Sequence, residues 1–200
     1  PLVYAAEDSS STLKQVHDWL GMNKERLLEQ LSRHGAILFR GLPVKTDSDF
    51  DSVIQSFGLT NFTYAESLSN AVRRNRTERV FTANEAPASV SIFLHHEMAQ
   101  PPVYPSKLFF YCEQAAHSGG ATPLCRSDVL LQELEKQAPE FVVACAEKGV
   151  RYSNVMPNSD DPESGQGRSW RSTLSTDDKS AAEDKLRKLC YQWELSLIHI

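Results

Sequence analysis

No stretch of this 200-residue chain is both long and apolar enough to span a bilayer, which takes about 20 consecutive apolar residues. An excess of basic charge is missing too. The 21 Lys and Arg stand against 26 Asp and Glu, for a formal net charge of −5. Such a balance argues against a nucleic-acid partner, whose phosphates call for a basic face. Cysteine is scarce and unpatterned: Cys112, Cys125, Cys145 and Cys190 show no C-x-x-C spacing. Three of the four sit among apolar neighbours and read as buried thiols of a reducing compartment, consistent with a cytoplasmic location. Internal repeats and low-complexity tracts are absent. No signal peptide is visible, and because the chain opens on Pro1 rather than Met, that decides nothing about a leader.

What is present has globular proportions. Hydrophobic residues make up 40% and charged residues 24%, enough for one domain, residues 1–200, with a real core. The periodicity is α+β. Leu13 to Leu31 has helical spacing, with a break expected near Gly21. Gly35 ends that helix, and Ala36–Phe39 reads as a short strand. Ser48 to Phe57 is a helix with Phe50, Val53, Ile54 and Phe57 on one face. Residues 60–89 are polar and irregular and contain Arg73, Arg74, Arg76 and Arg79. Ser127 is placed to cap a helix. Pro139 opens another that runs to Lys148, and Gly149 stops it. Val150–Val155 reads as a strand, Asn158–Gly167 as a loop, and Asp177–Leu189 as a charged amphipathic helix.

The most informative residues are His95-His96-Glu97. They follow the apolar run Val90-Ser91-Ile92-Phe93-Leu94, which reads as a strand. Residues two apart on a strand share a face, so His95 and Glu97 project together while His96 points away. One imidazole and one carboxylate are two thirds of the 2-His-1-carboxylate triad that binds non-haem Fe(II). An exposed His and Glu at a strand end is the plain alternative. Three features surround the pair: a polar interruption at residues 98–102, a second apolar run Leu108–Cys112, and Gly119-Gly120-Ala121-Thr122. The two glycines permit a tight turn, and Thr122 offers a hydroxyl just beyond it.

These residues carry a family resemblance. FLHHEMAQPPVYPSKLFFYCEQAAHSGGATPL, residues 93–124, resembles the core segment of the TauD/TfdA family of Fe(II)- and 2-oxoglutarate-dependent dioxygenases, in its clavaminate synthase-like branch with HxE. His34–Leu42, Phe81–Glu85 and Gly167–Thr173 are also similar to family segments. The resemblance implies a double-stranded β-helix (jelly-roll) core with flanking helices, here without its C-terminal strands. It implies Fe(II) held by His95 and Glu97, with 2-oxoglutarate as co-substrate contacted by Thr122 of the GG-x-T motif. Ala121 stands where the family usually has an acidic residue. Oxidation of a small-molecule substrate by O2, usually a hydroxylation, is the implied reaction. A carboxylate at position 97 favours oxygenation over halogenation. The family's distal His and its 2-oxoglutarate-binding Arg lie beyond this length. His199, with no Arg after it, is not assigned as the distal ligand, and these 200 residues alone are expected to be inactive.

Other residues have two readings each. Lys107 could approach the dicarboxylate co-substrate or be an exposed strand-edge lysine. The arginines at 73–79 suit an anionic substrate or a solvated loop equally. His96 and His117 read as surface or packing residues. Trp170 and Arg171 suit a lid or an aromatic anchor, and Asn84 a site contact or a turn. The rival account of the whole chain is a non-catalytic fragment or metal-binding jelly-roll module lacking the distal His and Arg. A zinc-binding module without oxygen chemistry is the third. Oligomeric state and substrate identity are not legible.

Overall fold

Thr12 sets the first helix, α1 (Leu13–His34), through a reciprocal cap. The Gln15 backbone N–H donates to the Thr12 hydroxyl at 3.3 Å, and the Thr12 N–H donates to the Gln15 side chain at 2.8 Å. Two of the helix's orphan donors are thereby satisfied. Gly35 closes the other end at φ 75°, its N–H on the Leu31 carbonyl at 2.7 Å, a left-handed conformation that glycine adopts without strain. The break expected at Gly21 does not occur, and α1 is continuous. A mid-helix glycine costs about 1 kcal/mol relative to alanine. Burial of Leu20 and Leu27, at 0% and 1% exposure, returns roughly 1.5–3 kcal/mol each, so the helix runs through.

This is a computed structural model; it describes the chain except residues 8–9, 63–67, 70, 72, 84–88, 100–103, 162, 165–166 and 194–200. Asn84, Glu85 and His199 lie outside the described residues. The described chain forms two compact units interleaved in sequence: Pro1–Phe62, Arg74–Thr82 and Lys107–Val143 in the first, Thr63–Arg73, Ala83–Ser106 and Ala144–Ile200 in the second.

In the first unit, β1 (Leu2–Ala5) pairs in parallel with β2 (Ile37–Arg40), Leu2 opposite Ile37 and Ala5 opposite Arg40. α1 is the crossover that a parallel pair requires. Tyr4 stacks on Phe39 with ring centroids 5.6 Å apart and meets Trp19 edge-on at 5.7 Å. α2 (Asp47–Gln55) is capped by Thr46 and Asp49. Its Val53, with Phe57 just beyond, packs on Val16, Leu20 and Leu27, and Phe109 joins them with its ring 5.2 Å from Phe57.

Two further helices, α3 (Ser127–Gln137) and α4 (Pro139–Lys148), bury no residue. Arg126, not Ser127, is the N-cap of α3, and no side chain caps that helix. Ser127 is its first helical residue. In the second unit α5 (Trp170–Leu174) and α6 (Lys179–Lys188) pack through Leu174, Ala182 and Leu186 around Leu68. Asp178 caps α6 by accepting from the Ala181 N–H at 2.7 Å.

The strands expected at Val90–Leu94, Leu108–Cys112 and Val150–Val155 are not strands here. Phe93 is 83% exposed, Phe110 75% and Val155 97%. A β pattern becomes a strand only when a partner supplies the ladder, and no described segment pairs with these three. The described residues carry the β1–β2 pair as their one sheet and do not display a jelly roll. The thiols also differ from expectation: Cys112, Cys125 and Cys190 are exposed and Cys145 is half-buried, all four free. Apolar neighbours in sequence bury a thiol only if their own segment packs, and these segments pack little. Among the described residues no helix is long and apolar enough to cross a membrane.

Candidate metal centre

The backbone from Phe93 to His96 is irregular, with a turn at Glu97-Met98. Met98 sits at φ 53° with its side chain 5% exposed. A non-glycine residue pays for that left-handed conformation, typically about 1–2 kcal/mol, and burial of the Met98 side chain offsets it. The Ala99 N–H returns to the His96 carbonyl at 3.2 Å. This anchored turn fixes where Glu97 points.

The His95 ring lies across the turn. Its Nδ1 is 2.8 Å from the Phe93 carbonyl oxygen. A carbonyl only accepts, so Nδ1 carries the proton and the neutral ring keeps its lone pair on Nε2. That Nε2 lies 3.8 Å from Glu97 Oε2. The other carboxylate oxygen, Oε1, takes a hydrogen bond from Arg73 Nη2 at 3.3 Å. Glu97 and Arg73 are each 18% exposed in their side chains, while His95 is 58% exposed. His96 Nδ1 lies at 3.4 Å from the Glu97 backbone oxygen, so its ring belongs to the backbone and not to the pair.

An unprotonated imidazole nitrogen and a carboxylate oxygen facing one another across 3.8 Å are donors of the kind that non-haem Fe(II) takes. The separation is too wide for a hydrogen bond. The backbone bond at Nδ1 is the support that a ligating histidine ordinarily has. The pair therefore fits as two ligands of an iron site. No group of three or more His, Cys, Asp or Glu able to hold a metal is found among the described residues.

Thr122 and Lys107 belong to the first unit, His95 and Glu97 to the second. Thr122 is exposed and Lys107 half-buried. The turn before Thr122 has the expected left-handed glycines, Gly119 at φ 66° and Gly120 at φ 71°. A Cβ on Gly120 would come within 2.6 Å of the Ala116 Cβ, so the position excludes a side chain on two grounds. His117 is exposed in the same turn.

Arg73, Arg76 and Arg79 part company. Arg76 Nε donates to Asp47 at 2.7 Å, and Arg79 Nη1 to Asp51 at 3.2 Å. Asp51 also accepts from the Thr77 hydroxyl at 2.6 Å and from Gln55 at 3.1 Å. Burial pushes the Asp51 carboxyl up, but the Thr77, Gln55 and Arg79 hydrogen bonds together outweigh it and hold the pKa below the ordinary value. These contacts pin residues 76–79 to α2. Arg73 reaches the His95–Glu97 turn, a difference from Arg76 and Arg79 that a run of arginines in a sequence does not show.

Trp170 and Arg171 form an anchor. Trp170 packs against the α5–α6 core, its Nε1 donates to Asn158 at 3.2 Å, and the Arg171 guanidinium lies 4.8 Å above its ring. Asp160 accepts from the Ser169 N–H and the Ser172 hydroxyl, each at 2.7 Å. The Ser169 backbone donor, followed by the two serine side chains, lowers the Asp160 pKa.

Residues 1–197 match the family described as Taurine catabolism dioxygenase TauD, TfdA family. The chain belongs to this family. A clavaminate synthase-like protein of Arabidopsis thaliana is 44% identical over 162 residues, covering 81% of this chain and 48% of its own length. The dapdiamide synthesis protein DdaC of Enterobacter agglomerans is 33% identical over 155 residues, covering 78% of this chain and 44% of its own. The chain thus spans about half the length of the curated relatives it matches. The TauD, TfdA family implies a jelly-roll architecture; the described residues show a two-stranded parallel sheet with helices and do not display it.

Proposed function

We propose that this chain is the iron-ligating part of an Fe(II)- and 2-oxoglutarate-dependent oxygenase acting on a small molecule. The single observation that carries the proposal is the facing of His95 Nε2 and Glu97 Oε2 across 3.8 Å within a TauD, TfdA family chain. The names of the two relatives, clavaminate synthase-like and dapdiamide synthesis, support a small-molecule substrate.

Bound there, Fe(II) would supply O2 chemistry driven by oxidation of 2-oxoglutarate to succinate and carbon dioxide. The chain's own residues do the holding and aiming. Phe93 fixes the His95 tautomer so that a lone pair faces Glu97. Met98 buries the turn and holds the carboxylate at one angle. Thr122 supplies a hydroxyl for a 2-oxoglutarate carboxylate oxygen, and Lys107 a cation for the same dicarboxylate. The third protein ligand, a histidine, and the arginine for the distal carboxylate are proposed to come from the part of the longer protein that these residues do not cover. A jelly roll completed by that part would supply partners for the segments Val90–Leu94 and Leu108–Cys112, where Ile92, Phe93, Leu94, Leu108 and Phe110 are exposed here.

The test is succinate formation. A version extended to the length of the relatives is expected to release succinate from 2-oxoglutarate only with Fe(II) and O2 present. Residues 1–200 alone are expected not to, since two ligands hold a metal weakly. An extended protein that binds zinc and consumes no oxygen would reverse the reading in favour of the metal-binding module.

A further inference from the structure

We draw no further inference here: the strongest candidate, the exposed apolar surface of α3 carrying Val129, Leu130 and Leu131, carries nothing because nothing in the structure shows what covers it.

Discussion

His95 Nδ1 lies 2.8 Å from the carbonyl oxygen of Phe93, two residues upstream, and this contact assigns the proton on the ring. The opposite nitrogen, Nε2, is left with its lone pair towards Glu97. Two-dimensional 15N–1H correlation of the imidazole should accordingly find His95 as the Nδ1–H tautomer once the ring is neutral. An Nε2–H tautomer would mean that the lone pair points into the Phe93 peptide and that His95 is not presented to a metal.

Asp51 carries an acid-sensitive part of the stability. Its carboxyl titrates below the ordinary value of 3.8 when folded. The contribution is complete above that value and is lost as pH falls through the folded pKa. Asp51→Asn leaves Thr77, Gln55 and Arg79 without their anionic acceptor and is expected to cost about 1–3 kcal/mol near neutral pH. Urea unfolding at pH 7 and below pH 4 should show the difference between variant and wild type shrinking in acid. A constant difference at both pH values would contradict the assignment.

Leu20 and Leu27 hold α1 against α2. Leu20→Ala should cost about 2–5 kcal/mol, the range for a buried leucine, measured by thermal or urea unfolding. Met22, 80% exposed on the same helix, provides the control, and its replacement by alanine should change stability little. Equal effects at both positions would show that the buried stripe is wrongly placed.

Thr122 is tested through the co-substrate. In the extended protein Thr122→Val should raise the KM for 2-oxoglutarate by about tenfold or more, since a hydrogen bond to a charged group is worth roughly 1.5–3 kcal/mol and tenfold corresponds to about 1.4 kcal/mol. Lys107→Ala should raise it as well. A change confined to the substrate KM would move Thr122 out of the co-substrate contact.

Local signals were legible and partner-dependent ones were not. Thr12 with Gln15, the leucine spacing and Gly35 announce α1, because caps and periodicity act within a few residues. Gly21 misled, since a propensity of about 1 kcal/mol yields to burial by residues distant in sequence. β1 has no signal in the sequence, because four residues carry no pattern of their own without β2 beside them. Val90–Leu94 and Leu108–Cys112 have the composition of strands, yet composition supplies no partner. At the site, the His-x-Glu motif is local, but the strand expected to bring His95 and Glu97 to one face is an irregular run ending in a turn. The engagement of Glu97 by Arg73 spans 24 residues, and an arginine-rich loop offers four candidates for it.

The central claim is that His95 and Glu97, and not His96, hold the iron. Anaerobic equilibrium dialysis of Fe(II) against the extended wild-type protein and its His95→Ala, Glu97→Ala and His96→Ala variants tests it most directly. One iron per wild-type chain, retained by His96→Ala and lost from both other variants, is the expected result. Retention of iron by His95→Ala or Glu97→Ala, or its loss from His96→Ala alone, would contradict the account.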